Sequence, residues 1–272
     1  MTAAQELPRS TSGRTPLDVA RMAALEAGAI VMSRFRVPQE VEVKGRGNLV
    51  TRADHDAERA IERIVREEFP GHHVYGEETQ NHTTFEGWVW VVDPLDGTRN
   101  YVSGIPFFCV NIALCLDGEP VLGLTYDPAH NEQFWAQTGL GAYVNERPLK
   151  ASDRPDVASS VLGMDLGYND ATGKATLRLA YEIFPNVQCM RVPGSAALGL
   201  AYAAAGRLDL FFHRNVYPWD IAAGVVLVRE AGGVVTAPDG SPIRITSGGV
   251  VAGGRDVHAD FMRRYGGQLT AK

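Results

Sequence analysis

Residues 90–98 read Trp90-Val-Val-Asp-Pro-Leu-Asp-Gly-Thr98. An apolar run from Trp88 to Val92 predicts a buried strand, and two acids follow it at once. Pro94 biases the preceding residue toward extended backbone, so Asp93 belongs to the strand end. Asp96-Gly97-Thr98 then reads as a turn into a helix start. The first N–H groups of a helix have no partner in the helix and attract anions. Two carboxylates and an anion-binding backbone therefore fall in one short segment. Carboxylates suit a hard cation such as Mg²⁺, and cation and N–H groups together suit phosphate. Taken alone, the same pattern also describes an ordinary turn, since Asp and Gly are common there.

Working outward, the segment before it holds two helices. Thr15 is an N-cap candidate, with Pro16 at the first helical position and Asp18 completing a capping box, and the pattern stops at Pro38. A second helix runs from about Arg52 to Glu68, with its apolar stripe on Ala57, Ala60, Ile61, Ile64 and Val65. After the central segment come strands. Val110 to Leu116 and Val121 to Tyr126 flank Asp117-Gly118, a hairpin signal, and Gln133 to Ala136 with Gly141 to Val144 form another pair. From Ala151 the pattern alternates: strand at Val161–Met164, helix at Ala171–Ile183, strand at Gln188–Val192, helix at Ser195–Ala205, strand at Leu208–Phe212, helix from Trp219 to Ala231. This predicts a layered α/β fold of mixed sheets covered by helices. It divides near residue 150, into an N-terminal half over 15–150 and a C-terminal half over 151–272. Residues 1–14 are polar and are expected to form a disordered tail without a secretory leader.

Composition narrows the class. The 272 residues carry 26 Lys and Arg against 32 Asp and Glu, a net charge of −6, and no basic stripe. A nucleic-acid polymer is therefore not an expected partner. No apolar stretch approaches the roughly 20 residues that span a membrane. Cys109, Cys115 and Cys189 are odd in number and follow no metal or redox spacing, which suits a reducing cytoplasm.

Other acids surround the central pair in the pattern. Glu77 and Glu78 follow Gly76 at the end of another apolar stretch, and Asp220 enters the first turn of the helix opened by Pro218-Trp219. An acid in that place is also stabilised simply by the helix dipole.

Four stretches together resemble the inositol monophosphatase family, within the lithium-sensitive, Mg²⁺-dependent sugar and nucleotide phosphatases. They are Gly76-Glu-Glu-Thr79; Trp90 to Tyr101 with Gly104-Ile-Pro106; Gly194-Ser-Ala-Ala197 with Gly206-Arg-Leu-Asp209; and Trp219-Asp-Ile-Ala-Ala-Gly224 with Glu230-Ala-Gly-Gly233. They occur in the family's order and cover the chain from about Leu17 onward.

The resemblance implies an αβαβα sandwich with two mixed sheets, and a homodimer. It implies two to three Mg²⁺ ions. Glu77, Asp93 and the Leu95 carbonyl would hold the first, and Asp93, Asp96 and Asp220 the second. A third would lean on Glu77 and waters. Thr98 and Asp54, the latter within Asn48-Leu-Val-Thr-Arg-Ala-Asp54, would handle the attacking water. Gly97 and Thr98 amides would hold phosphate, and Gly194, Ser195, Ala196, Asp220, His213 and Arg191 would face the substrate.

The implied activity is phosphomonoester hydrolysis, with inositol-1-phosphate first among substrates. His213 stands where the family often has a glutamate, and Arg214 follows it. This keeps fructose-1,6-bisphosphate, histidinol phosphate and 3′-phosphoadenosine 5′-phosphate as alternatives. A non-catalytic metal- or phosphate-binding regulator is a further one, although the four metal acids are all present. Ser195 reads as a helix cap or pocket residue, having no base beside it in sequence. Glu78 reads either as a water-mediated neighbour of the metals or as a solvated acid. His213 reads as a pocket wall or a surface loop, Arg191 as a phosphate contact or an ion-pair partner, and Lys44 as a site cation or a surface residue.

Overall fold

The first two helices begin where the chain supplies side-chain caps. A computed structural model describes residues 7–38, 40–45, 48–79 and 84–270. In α1 (Pro16–Arg34) the Thr15 hydroxyl accepts the Asp18 N–H, and Asp18 accepts the Thr15 N–H in return. A short antiparallel pair, β1 (Val41–Gly45) and β2 (Asn48–Thr51), leads into α2 (Arg52–Glu68). There Thr51 and Asp54 repeat the same capping box.

Seven strands then form one sheet in sequence order: β3 (His73–Gly76), β4 (Trp88–Asp96), β5 (Cys109–Leu116), β6 (Glu119–Asp127), β7 (Glu132–Gln137), β8 (Gly141–Val144) and β9 (Arg147–Pro148), with α3 (Thr98–Val102) between β4 and β5. Only β3 and β4 run parallel. Asp117 and Gly118 both take positive φ, as a two-residue hairpin turn requires.

The second sheet comprises β10 (Val161–Asp165), β11 (Cys189–Arg191), β12 (Leu210–His213), β13 (Val234–Thr236) and β14 (Val250–Gly253), in the order β11-β10-β12-β14-β13. Its helices are α4 (Asp170–Ile183), α5 (Ala196–Ala204), α6 (Pro218–Glu230) and α7 (Arg255–Leu269). The pairing is mixed: β10 is parallel to β11 and β12, while β14 is antiparallel to β12 and β13.

Side-chain alternation builds the layers. Trp90 and Val92 of β4 face a core shared with α1 and α2, while Val89 and Val91 face Ala222 and Ala223 of α6. Burial on both faces explains the continuous apolar run. In β12, Phe211 packs toward α5 and α6, and Phe212 toward α4 and α7. The order is helix, sheet, helix, sheet, helix, as expected. Close contact between α6 and the large sheet depends on Gly123 of β6, where a Cβ would lie 2.4 Å from the Ala223 carbonyl oxygen.

The expected disordered tail is corrected for residues 7–14. Leu7 is buried in the α1–α2 core, the Thr11 N–H donates to Glu68 O at 2.9 Å, and Arg14 pairs with Glu68 at 2.6 Å. Residues 1–6 lie outside the described part. Residues 73–76, 234–236, 250–253 and 255–269 also form regular elements without having been expected to.

Candidate active site

The centre is made by an irregularity in β4. Asp93 pairs with Asn111 and Asp96 with Cys109, so three steps along β4 match two along β5. A regular strand would send residues three apart to opposite faces; the bulge returns them to the same one. Pro94 is tolerated because β3 pairs with β4 only as far as Val92, and because a bulge needs no ladder N–H. Asp93 Oδ1 accepts the Leu95 N–H at 3.0 Å, and Thr98 Oγ1 donates to Leu95 O at 3.0 Å. Gly97 takes φ of 93°, and a Cβ there would meet Phe107 O at 3.0 Å. Glycine is required at this turn.

Asp220 comes from the other half of the chain. It lies in the first turn of α6 and accepts the Tyr217 N–H at 2.7 Å. A buried network fixes this helix start: Asn111 Nδ2 donates to Trp219 O at 2.7 Å, and Asn111 Oδ1 accepts the Thr125 hydroxyl at 2.7 Å. Asn111, the cross-strand neighbour of Asp93, thus ties Asp220 to β5. Asp93, Asp96 and Asp220 each bring an oxygen within 4.8 Å of the others. Asp96 is also braced from α5, where the Ala197 N–H at 2.9 Å and the Ser195 hydroxyl both donate to its Oδ2.

Electrostatics make this cluster uncomfortable on its own. Burial first, then the charges of Glu77, Asp96 and Asp220, push the Asp93 carboxyl well above the usual range. Burial and Asp96 do the same to Asp220. Burial raises Asp96 despite its donors. Three carboxylates in one buried place cannot all ionise unless positive charge joins them. Their donors are all oxygen, so the residues fit a hard divalent cation.

Glu77 follows β3, and its N–H donates to Val92 O at 3.1 Å. Behind it, Glu58 of α2 is buried and accepts the Glu78 N–H at 2.9 Å. Glu78 itself has a buried side chain 3.8 Å from His55 Nδ1, so the solvated alternative is set aside. Asp54 is buried, receives the Thr51 N–H and hydroxyl on Oδ2, and faces Thr98 Oγ1 at 3.3 Å through Oδ1. Burial raises its pKa to about 6.

Asp96, Thr98 and Asp220 open onto a cavity of about 260 Å³. Gly97, Thr98, Gly194, Ser195, Ala196 and His213 line it with Asp96 and Asp220. Ser195 is the N-cap of α5, accepting the Leu198 N–H at 3.3 Å, as one of its two readings had it. His213 is buried at the end of β12 and is not a surface loop residue. Burial lowers its pKa to about 4. Its Nδ1 accepts the Asn215 N–H at 3.1 Å, which leaves Nε2 as the N–H donor of a neutral ring.

Arg191 is not brought to the cavity. It is exposed, and its guanidinium donates to Met190 O at 2.9 Å and to Cys189 Sγ. Arg214 does not line the cavity either. The Lys44 side chain lies outside the described part.

Several lining residues carried no separate expectation. Arg99 lines the cavity, with its guanidinium 4.8 Å from the Tyr168 ring centre, and so do Asp165 and Asn215. Arg99 stood inside the quoted motif; Asp165 and Asn215 stood in none.

A metal-fitting acidic cluster beside a small cavity, with the starts of α3, α5 and α6 in its wall, fits a metal-dependent hydrolase of phosphate esters. The model of the inositol monophosphatase family matches residues 14–266, and the chain belongs to that family. It is similar to the inositol-1-monophosphatase of Synechocystis sp., 39% identical over 96% of this chain and 92% of the relative. The fructose-1,6-bisphosphatase/inositol-1-monophosphatase of Aquifex aeolicus is 35% identical, covering 90% and 93%. Among solved structures, the extragenic suppressor protein suhB of Bartonella henselae superposes with a TM-score of 0.84 at 33% identity, covering 94% of this chain and 98% of that one. The chain is thus a phosphoric monoester hydrolase. Among the described residues, no helix is long and apolar enough to cross a membrane.

Proposed function

We propose that this chain hydrolyses inositol-1-phosphate in a Mg²⁺-dependent reaction. The observation that carries the reading is the Asp93–Asp96–Asp220 cluster, three carboxylates with oxygens within 4.8 Å of one another, of which Asp96 and Asp220 line the cavity. Glu77, Asp93 and the Leu95 carbonyl would hold one ion, and Asp93, Asp96 and Asp220 a second, with a third near Glu77. Mg²⁺ supplies positive charge for the phosphate oxygens and makes water a stronger nucleophile.

The chain's own groups do the positioning. Gly97 and Thr98 amides hold phosphate oxygens at the start of α3. Thr98 Oγ1 orients the attacking water, and Asp54 Oδ1, 3.3 Å away, is the proton acceptor behind it. The raised Asp54 pKa, about 6, suits a group that takes a proton near neutrality. The Ala196 backbone, Asp220 and the His213 Nε2–H contact hydroxyls of the leaving group. Ser195 is a brace for Asp96 and not a nucleophile. Lithium inhibition, a homodimer and a cytoplasmic setting belong to the same reading, which rests for them on the family resemblance.

A bisphosphate such as fructose-1,6-bisphosphate is the second reading. It is favoured by a neighbouring cavity of about 490 Å³, where Arg99 and Lys174 could meet a second phosphate. Phosphate release from a panel of inositol-1-phosphate, fructose-1,6-bisphosphate, histidinol phosphate and 3′-phosphoadenosine 5′-phosphate, with and without Mg²⁺, tests both. Preference for inositol-1-phosphate is expected. A preference for the bisphosphate that Lys174→Ala removes would select the second reading.

A further inference from the structure

Asp165 is buried in the cavity wall and belongs to none of the stretches that carry the family resemblance. It ends β10, and parallel register sets it beside His213 at the end of β12. Residues paired this way point to the same face of a sheet, and both line the cavity. Asp165 Oδ1 accepts the Gly194 N–H at 2.8 Å. Its Oδ2 is buried and has no hydrogen-bond partner.

The fold uses only one of these oxygens. An asparagine would serve the Gly194 N–H equally well and would carry no charge to desolvate. Leaving a buried acceptor unmade costs about 1–3 kcal/mol, and more for a charged group. The position is therefore costly to the empty protein and becomes favourable once a donor arrives from the cavity. His213, across the register, offers the complement, an Nε2–H donor on a neutral ring.

We propose that Asp165 is a specificity-determining residue whose Oδ2 accepts a hydroxyl of the leaving group, so that Asp165 and His213 together read a neutral polyol. One hydroxyl donates to Asp165 while a neighbouring one accepts from His213 Nε2. This inference rests on the substrate reading given above.

The test is Asp165→Asn, which keeps an oxygen for Gly194 and replaces the accepting Oδ2 with a donor. The quantity read is the ratio of kcat/KM for inositol-1-phosphate to kcat/KM for p-nitrophenyl phosphate. The ratio should fall at least about tenfold, mainly through KM for inositol-1-phosphate, as when a site built for a hydroxyl loses its partner. A ratio within about twofold of wild type overturns the proposal.

Mono-deoxy inositol-1-phosphates give a second measurement on the unaltered protein. At least one should lose about tenfold in kcat/KM with wild type, and that loss should vanish in Asp165→Asn. No analogue separating the two proteins overturns the proposal even if the variant folds poorly. Wild-type turnover of p-nitrophenyl phosphate but not of inositol-1-phosphate would instead overturn the substrate reading and this inference with it.

Discussion

Asp93 and Asp96 stand three residues apart on β4 yet present their carboxylates to one side, because β5 spans the same stretch in two residues, Asn111 to Cys109. The bulge turns a strand end into a chelating edge. Asp220 reaches the same point from α6. The cluster crowds three acids whose repulsion is relieved by a bound proton or a bound cation.

This gives a stability prediction. Without metal, Asp93→Asn removes a buried carboxyl that must either repel its neighbours or take up a proton, and should raise Tm, by about 2–4 °C for each kcal/mol relieved. With Mg²⁺ present the variant should lose both the metal-induced rise in Tm and turnover. Calorimetry in a chelator and in Mg²⁺ checks this. A variant less stable than wild type in chelator would contradict the repulsion argument.

Ser195 donates to Asp96 and caps α5. Ser195→Ala should cost about 1 kcal/mol of stability, as for other N-caps, and should lower kcat without abolishing it. Denaturant unfolding and steady-state kinetics measure the two effects. Complete loss of turnover in a folded Ser195→Ala protein would point to a nucleophile instead.

Asn111 links the strand beside Asp93 to the carbonyl before Asp220. Asn111→Val leaves that carbonyl and the Thr125 hydroxyl without their donor and acceptor. We expect a loss of about 2–4 kcal/mol, since two buried groups lose partners. The Mg²⁺ concentration for half-maximal activity should also rise, because Asp220 is no longer held. An unchanged Mg²⁺ dependence would show that Asp220 is positioned without Asn111.

The metal acids were legible because each sits in a local signal: Asp93 and Asp96 at a strand-to-turn junction, Glu77 after an apolar stretch, Asp220 at a helix start. The bulge was not legible, since nothing in residues 90–98 says how many residues of β5 lie opposite. Asp165, Asn111 and Glu58 act through partners 29, 108 and 20 positions away, so no short window contains them. Arg191 was placed by its nearness in sequence to Gly194, but its guanidinium turns back onto Cys189 and Met190. Leu7 looked like part of a polar tail because its burial depends on a core built from α1 and α2.

His213 makes a prediction about pH. Its pKa falls from 6.5 to about 4 in the folded chain. Between those values the unfolded state binds the extra proton and the folded state does not, so stability is lost as pH drops through this window. The full effect is roughly 3 kcal/mol, at about 1.4 kcal/mol per pH unit. Asp54 works in the opposite sense below about pH 6, because its folded pKa is raised. Comparison of wild type with His213→Gln isolates the histidine. The variant's Tm should fall less between pH 6.5 and pH 4. Parallel curves would show that His213 titrates normally.

The central claim is that the Asp93–Asp96–Asp220 cluster carries metal-dependent hydrolysis of a phosphomonoester. The most direct measurement is phosphate release from inositol-1-phosphate as Mg²⁺ is titrated into metal-free protein, for wild type and Asp93→Asn side by side. The account predicts turnover that rises from zero with Mg²⁺ in wild type and stays at background in the folded variant. Release without added metal in a chelator, or a variant as active as wild type, would contradict it.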